Sequence, residues 1–466
     1  MNKETHMGSI DTTHWQRRLD AVARETGMVG AVLGILRLDD DGPDEMARAA
    51  TGVLNANTRR DTTVDSLFQI GSITKTWTAT VIMQLVDEGK IGLDQRVLDI
   101  LPGFRLSTDD LTQNVTIRHL LNHTSGLDGD VFIDTGRGDD SLDKYMSVLE
   151  NAMQTFPVGA SWSYCNTGFS ILGRVIEVVT GQVWDEAMRE RLFVPLGLTH
   201  TVTLPEEALL FDAAAGHLTG LPEPNLTPVW GLDRNCGPAG NITTSVADLL
   251  TYARLHLRDG VTADGRRLLS AGSMAAMHAF STATPKTELT GETWGLGFTR
   301  LDWGGAQVFG HDGNTIGQSA FLRVYPAGGL AVALMVNGPG ADPLYQTLFG
   351  EIFGDLAGVT IQPPFELPDE PADLNISPWI GTYERAEVRI EIIDGPDGPL
   401  FRSTGKDKLA AIEGNPVTEY RLIPIREGLY GTYADERKMN LPIRFFQLPT
   451  GDRYVHFSSR STRKTS

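Results

Sequence analysis

The sequence has 466 residues, of which 41% are hydrophobic and 21% are charged, and its formal net charge is −19. This length suits about two to four domains, and the composition is that of a globular protein with a real core. The acidic balance argues against a nucleic-acid partner and against an anionic membrane surface, because both are negatively charged. We therefore expect neither nucleic acid nor membrane as a partner.

The cysteine count and the first residues restrict the kinds of site and the cellular location that we expect. Cys165 and Cys236 are the two cysteines, too few for a disulfide framework or a structural zinc site. No His-x-His or His-Glu-x-x-His pattern occurs, so we expect no metal and no cofactor. Residues 1–27 contain no apolar run typical of a signal peptide, and no stretch of about twenty apolar residues occurs anywhere. These features predict a cytoplasmic location.

The first predicted elements are a helix and a hairpin. Trp15, Leu19 and Val22 share one side of an amphipathic N-terminal helix. Residues 29–38 form a mostly apolar run typical of a buried strand, and residues 47–53 form its returning partner. We therefore expect an antiparallel edge to the main sheet.

Ser72 and Lys75 lie three residues apart at the start of the next predicted helix. Apolar residues recur every four positions from Ile73 to Leu85, and Gly89 follows where a helix end favours glycine. Positions i and i+3 share a helix face, so Lys75 can reach the Ser72 hydroxyl. Burial lowers the pKa of a lysine and lets it take a serine proton. Ser-x-x-Lys alone is a weak pattern, which a helix start beside a solvated lysine would also produce.

Tyr164 and Asn166 follow a Pro/Gly turn, just before a helix predicted over 169–180. In an extended segment, residues two apart point the same way, so one surface can present a phenol and an amide. The alternative for Tyr164 is that it merely closes a turn. We interpret Cys165 as a small packing residue and the Asp/Gly-rich stretch 128–143 as a surface loop, with a lid as the alternative.

The period then changes to two, which predicts strands. Residues 306–309, 319–325 and 330–337 are predicted to be three consecutive strands. His311 and Gly313 lie between the first two of them, and a turn histidine is the alternative interpretation of His311.

Three units are expected along the chain: a first domain at 1–361, a linker at 362–378 and a second domain at 379–466. The middle segment is rich in proline and acidic residues, a composition typical of linkers. The last unit alternates apolar and polar residues in short runs, which predicts a small antiparallel β-barrel without catalytic residues.

With Ser72/Lys75, Tyr164/Asn166 and His311/Gly313 in this order, the sequence resembles the serine β-lactamase and penicillin-binding-protein superfamily over about residues 12–357. The resemblance is to its branch of class C β-lactamases, D-aminopeptidases, β-lactamase-like esterases and penicillin-binding-protein-type thioesterases. It implies an α+β fold, in which an antiparallel sheet flanked by helices meets an all-helical lobe at the catalytic cleft. The last unit resembles the lipocalin-like appendage of some members.

The resemblance also assigns roles. Ser72 resembles the nucleophile, Lys75 the residue that shares its proton, and Tyr164 a general base and acid that the lysine holds partly ionised. The backbone N–H groups of Ser72 and Asn314 match the oxyanion hole. Residues expected to bind substrate are Asn166, His311, Gly313 and Asn314.

One departure from the family bears on the substrate. The strand motif is His311-Asp312-Gly313 instead of Lys-Thr-Gly, which disfavours β-lactam hydrolysis and favours esters, amides or D-amino-acid peptides. The expected function is a serine acyl hydrolase with a small-molecule or peptide acyl substrate. The alternatives are a thioesterase that cyclises a peptide onto its own amine and a non-catalytic acyl-binding sensor. No pattern indicates the oligomeric state.

Overall fold

The first part of the chain alternates short strands with helices. The computed structural model describes residues 9–39, 42–218, 225–287, 293–396, 398–406, 417–434 and 439–466. The strands up to residue 361 are β1 (Gly30–Arg37), β2 (Glu45–Gly52), β3 (Phe68–Gln69), β4 (Thr201–Val202), β5 (Thr243–Thr244), β6 (Thr282–Ala283), β7 (Thr293–Trp294), β8 (Thr299–Trp303), β9 (Ala306–Thr315), β10 (Gln318–Tyr325) and β11 (Leu330–Val336). The helices are α1 (Thr12–Thr26), α2 (Thr74–Asp87), α3 (Asp109–Asn114), α4 (Ile117–Leu121), α5 (Ser141–Val148), α6 (Asn166–Thr180), α7 (Trp184–Met188), α8 (Val194–Leu196), α9 (Pro205–Ala208), α10 (Gly237–Gly240), α11 (Val246–Leu257), α12 (Ala271–His278) and α13 (Ala341–Ala357).

Within the described ranges, the main sheet has eight antiparallel strands in the order β2-β1-β11-β10-β9-β8-β7-β6. The hairpin of β1 and β2 forms one edge, as the sequence predicts. The returning chain then inserts β11 beside β1, with Ala31 opposite Val336. Strands β3, β5 and β4 form a separate small sheet next to the start of α2.

Helices cover both faces of the main sheet. On the outer face, Trp15 and Leu19 of α1 and Phe349 of α13 pack in one apolar cluster with the strands. A larger cluster on the inner face joins the sheet to α2, α6 and α11. Each large apolar side chain buried in this way contributes about 1.5–3 kcal/mol. No helix of the described ranges combines the length and apolar character needed to cross a membrane.

Two elements extend beyond their predicted limits. Strand β9 continues to Thr315 because β10 pairs with it along that whole length, so His311 and Gly313 lie on a strand and not in a turn. Helix α6 begins at Asn166, where the predicted helix begins at residue 169. The thiol of Cys165 accepts the Gly168 N–H at 3.3 Å, and this cap allows the earlier start.

The described residues after 380 form a nearly closed antiparallel barrel of nine strands, in the order β15-β14-β13-β12-β20-β19-β18-β17-β16. The α+β fold with a C-terminal antiparallel barrel is therefore confirmed. Tyr383, Phe401 and Phe445 are among its core residues. Its strands are β12 (Gly381–Arg385), β13 (Val388–Gly395), β14 (Gly398–Gly405), β15 (Val417–Arg421), β16 (Ile423–Arg426), β17 (Leu429–Ala434), β18 (Met439–Gln447), β19 (Arg453–Phe457) and β20 (Arg460–Lys464).

The segment predicted as a linker, 362–378, lies against the barrel. Phe365 is buried, and its carbonyl oxygen accepts a hydrogen bond of 3.2 Å from Asn440 Nδ2. The Ala372 N–H donates to the Pro424 carbonyl at 3.0 Å. This segment therefore makes specific contacts with the barrel, while the domain limits at 361 and 379 stay a prediction.

The turn between β19 and β20 joins the barrel to the first part of the chain. The Tyr164 N–H donates to the Ser459 carbonyl at 2.9 Å, and the Ser461 N–H donates to Ser163 Oγ at 3.0 Å. Ser458 and Ser459 have φ angles of 47° and 64°, a left-handed conformation that costs energy for residues other than glycine. This turn brings the next residue, Arg460, beside Tyr164.

Candidate active site

Ser72 lies in a single 3₁₀ turn, Gly71–Ile73, that leads into α2. Gly71 has a φ of 48°, and a Cβ at this position would lie 2.6 Å from the backbone N of Asn314. The turn therefore needs glycine before the serine. Lys75 Nζ lies 2.9 Å from Ser72 Oγ and donates to the Ala239 carbonyl at 2.7 Å.

Lys75 is completely buried. Burial lowers its pKa well below the ordinary lysine value, and the positive charge of Arg460 lowers it further. This lowered pKa favours the neutral form of the amine. A neutral amine in contact with a serine hydroxyl can accept its proton, which is the chemistry that activates a nucleophile.

Tyr164 covers the pair. Lys75 Nζ is 4.9 Å from the centroid of its ring, and its hydroxyl is 3.3 Å from His311 Nε2. Burial raises the pKa of Tyr164, and this outweighs the opposite effect of a hydrogen bond with the Ser72 hydroxyl. This corrects the expectation, drawn from the family resemblance, that the Tyr164 phenol is partly ionised. The same burial thus lowers the pKa of the lysine and raises the pKa of the tyrosine.

His311 is buried and uncharged. Burial lowers its pKa to about 3, with Lys75 as the next cause. Its Nδ1–H donates to the Asp312 carbonyl at 2.6 Å, so Nε2 carries the lone pair and accepts the Tyr164 hydroxyl proton. A neutral acceptor thus occupies the position where the family often has a lysine.

Strand β9 packs its backbone directly against the Ser72 turn. A Cβ on Gly313 would lie 2.9 Å from the backbone N of Ser72, so only glycine permits this approach. The Asn314 side chain accepts a hydrogen bond of 2.7 Å from Ser319 Oγ. Any contribution of Asn314 to an oxyanion hole would therefore come from its backbone N–H.

All seven residues expected at the site meet at one cleft of about 1410 Å³. The residues that line it directly include Ser72, Tyr164, Asn166, His311 and Asn314. Lys75 and Gly313 lie immediately behind this surface, in contact with Ser72. No group of three or more His, Cys, Asp or Glu side chains that could hold a metal occurs in the described part of the chain.

Two charged residues at the cleft escaped the sequence analysis. The guanidinium of Arg460, from the barrel, lies 4.8 Å from the centroid of the Tyr164 ring. It pairs with Asp130, which also accepts a hydrogen bond of 2.7 Å from Asn166 Nδ2. The interpretation of 128–143 as a surface loop is wrong at its start, because Asp128 and Asp130 are buried under the barrel.

Two further residues near the site have structural environments. His123 has a φ of 62°, and its Nδ1 accepts the Cys165 N–H at 3.0 Å. Burial raises the pKa of Cys165 to about 12. This thiol is therefore a poor nucleophile. Its observed contacts are structural, because it caps α6 and also contacts the Leu127 carbonyl at 3.8 Å and the Ser125 hydroxyl at 4.0 Å.

The sheet between two helical layers, with a buried lysine in contact with a serine, has the architecture of the serine hydrolases related to β-lactamases. The Beta-lactamase family model matches residues 15–353, and the chain belongs to that family. Penicillin-binding protein 4 of Amycolatopsis lactamdurans is 45% identical over 81% of this chain and 98% of its own length.

Two other matches cover different extents of the chain. Esterase EstB of Burkholderia gladioli is 33% identical over 46% of this chain and 58% of its own. A crystal structure of SurE with D-Leu matches with a TM-score of 0.77 and 26% identity, over 97% of this chain and 99% of that one. The second match therefore includes the C-terminal barrel.

Proposed function

We propose that this protein is a serine acyl hydrolase that forms an acyl-enzyme on Ser72 and cleaves an ester or an amide. The observation that carries the proposal is the 2.9 Å contact between Ser72 Oγ and the buried Lys75 Nζ, beneath the Tyr164 ring. Burial removes the water that would stabilise the charged ammonium, so the pKa of Lys75 falls and its amine can act as a base next to the nucleophile.

In the acylation step, Lys75 takes the Ser72 proton while Oγ bonds to the carbonyl carbon of the substrate. Negative charge develops on the carbonyl oxygen, and the N–H groups of Ser72 and Asn314 would stabilise it by about 3–4 kcal/mol. The leaving group departs with the hydroxyl proton of Tyr164, which regains a proton from Lys75. In the second step, water gives one proton to Lys75 and bonds to the acyl carbon. The bond from that carbon to Ser72 Oγ breaks, Oγ takes the proton back from Lys75, and the acid leaves.

We propose a peptide as the acyl donor. The site opens into a void of about 1410 Å³ that also borders barrel residues such as Asn440 and Phe457, so an extended chain can lie along it. Neutral His311 supplies no cation for a β-lactam carboxylate. Because the SurE match was solved with D-Leu, we propose a donor whose acyl group ends in a D-residue.

Peptide cyclisation is the second candidate. An amine of the same peptide would replace water and would release a macrocycle from Ser72. One observation favours it: the barrel lines one side of the cleft and adds Arg460 to it. The barrel would limit the access of water, which competes with the amine for the acyl group. The cleft would still have space for the second end of the peptide.

The test supplies p-nitrophenyl acyl esters and a peptidyl thioester that ends in a D-residue, with its L-epimer as the control. Intact mass should reveal an adduct on the wild-type chain that Ser72→Ala lacks. A linear product supports hydrolysis, and a cyclic product supports acyl transfer to an amine. No adduct and no turnover with any donor would contradict both candidates and favour the non-catalytic sensor.

A further inference from the structure

Asp130 lies where three parts of the chain meet. Its Oδ1 accepts hydrogen bonds of 2.7 Å from Asn166 Nδ2 and 3.0 Å from Arg460 Nη2. Its Oδ2 accepts hydrogen bonds of 2.6 Å from Arg385 Nη1 and 2.9 Å from Arg460 Nε. Both arginines belong to the barrel, while Asn166 begins the helix that follows Tyr164.

We propose that Asp130 is a positioning residue through which the C-terminal barrel fixes the orientation of the Asn166 amide at the cleft. The inference rests on the proposed acyl transfer at Ser72. It adds a role for the barrel, in which the two arginines hold the carboxylate and the carboxylate holds the amide.

The first step of the argument is the orientation of the amide. An ionised carboxylate has acceptors only, so it pairs with the amide nitrogen of Asn166 and never with its oxygen. One N–H of Asn166 is thus committed to Asp130. The carbonyl oxygen and the second N–H are left for groups inside the cleft.

The second step is the charge of Asp130. Burial alone would raise its pKa, but the charges of Arg460 and Arg385 lower it below the ordinary value. Arg460 binds with both ends of its guanidinium fork, the strongest geometry for such a pair. The barrel therefore keeps the carboxylate ionised, and a protonated acid would lose its preference for the amide nitrogen.

Asp128 provides a matched control in the same interface. It is also buried, and its oxygens accept the N–H groups of Ala386 at 2.6 Å and of Asp130 at 3.2 Å. Its observed hydrogen bonds are with backbone groups, not with Asn166. A role that is merely structural would make the two aspartates equivalent for the reaction rate.

The test compares Asp130→Asn with Asp128→Asn in the full chain. We expect acylation of Ser72 by a p-nitrophenyl ester to slow about 30-fold in Asp130→Asn, since the freed amide can rotate. The rate in Asp128→Asn should stay within about twofold of the wild type, because an asparagine oxygen can still accept a backbone N–H at this position. Urea unfolding measures the stability of both variants separately. Equal acylation rates in the two variants would overturn the inference.

A double-mutant cycle with Asn166→Ala tests whether Asp130 acts on the reaction through Asn166. In that background Asp130→Asn should change the rate by less than about twofold, because the group it positions is gone. If the double variant loses acylation rate by the product of the two single losses, Asp130 does not act through Asn166 and the proposed role is overturned.

A further variant keeps the test valid if Asp130→Asn does not fold. Arg385→Gln, which removes one donor from the Asp130 carboxylate, then replaces Asp130→Asn in the cycle. We expect a smaller loss of acylation rate, and no loss when Asn166→Ala is already present. A wild type that never acylates would refute the proposed function. A wild type that acylates, beside an unaffected Asp130→Asn, would refute only the role of Asp130.

Discussion

Lys75 connects the chemistry of the cleft to the stability of the fold. In the unfolded chain its amine is solvated and charged, whereas in the folded chain it is buried between Ser72 and the Ala239 carbonyl. Because burial lowers its pKa, the folded state binds this proton less readily than the unfolded state does. A group that favours catalysis in this way reduces stability.

The first prediction concerns Lys75→Met, which removes the amine and leaves an unbranched apolar side chain one atom shorter. Between the lowered pKa and the unfolded value of about 10.4, only the unfolded chain holds the lysine proton, so wild-type stability rises with pH. Lys75→Met should therefore be more stable than the wild type in neutral and acidic solution, and the gain should shrink as the pH approaches about 10. Urea unfolding across this range measures the gain, and a gain independent of pH would contradict the prediction.

The second prediction separates the roles of Lys75 and Tyr164. Each of Lys75→Ala and Tyr164→Phe should lower turnover by about 100-fold on an amide, as expected for a lost proton-transfer group. A p-nitrophenyl leaving group needs no proton, so Tyr164→Phe should slow the release of p-nitrophenolate much less than Lys75→Ala does. Stopped-flow absorbance with matched ester and anilide donors measures this. Equal losses on both donors would remove Tyr164 as the acid.

At the scale of elements, the spacing of apolar residues predicted the elements that are buried in the core. It missed the element ends that depend on pairing with another strand or on an unusual cap. The apolar run at 29–38 corresponds closely to β1 because its side chains fill the core on both faces of the sheet. The end of β9 has no such signal, since Gly-His-Asp-Gly has low strand propensity and is held by its pairing with β10. The early start of α6 was missed because cysteine is an unusual cap.

The turn between β19 and β20 gives the third prediction. Ser459 has a φ of 64°, and its observed contact with Tyr164 is through its carbonyl, which glycine also has. Ser459→Gly should therefore raise the free energy of unfolding by about 0.5–1 kcal/mol by removing left-handed strain. Ser147→Gly in the exposed part of α5 is the control, and it should lower stability by a similar amount. Urea denaturation that shows loss in both variants would contradict strain at Ser459.

At the scale of the molecule, the site residues within the first part of the chain were predictable, and those from the barrel were not. Ser72, Lys75, Tyr164 and His311 belong to motifs whose order identifies the family. Arg460 pairs with Asp130 across 330 positions of sequence, and short polar strands carry no pattern that indicates such a contact. Asp130 itself stands in an Asp/Gly-rich stretch whose composition indicates exposure, yet the barrel covers it.

The fourth prediction concerns the segment 362–378. Its composition is typical of a flexible linker, but Phe365 is buried and Ala372 donates a hydrogen bond to the barrel. Brief digestion of the native protein should therefore leave this segment uncut while exposed loops such as 132–140 are cleaved first. Mass spectrometry of the fragments locates the cuts. A first cut within 362–378 that yields two persistent halves would contradict the prediction.

The distance along the chain between Asp130 and Arg460 has a consequence for biosynthesis. A ribosome completes the Ser72 helix long before it reaches the hairpin that carries the guanidinium, so a growing polypeptide cannot yet assemble the whole cleft. Products of premature termination upstream of that hairpin would lack the clamp on Asn166 even if their first domain folded. Translation order would thereby delay full reactivity until the hairpin of β19 and β20 is made.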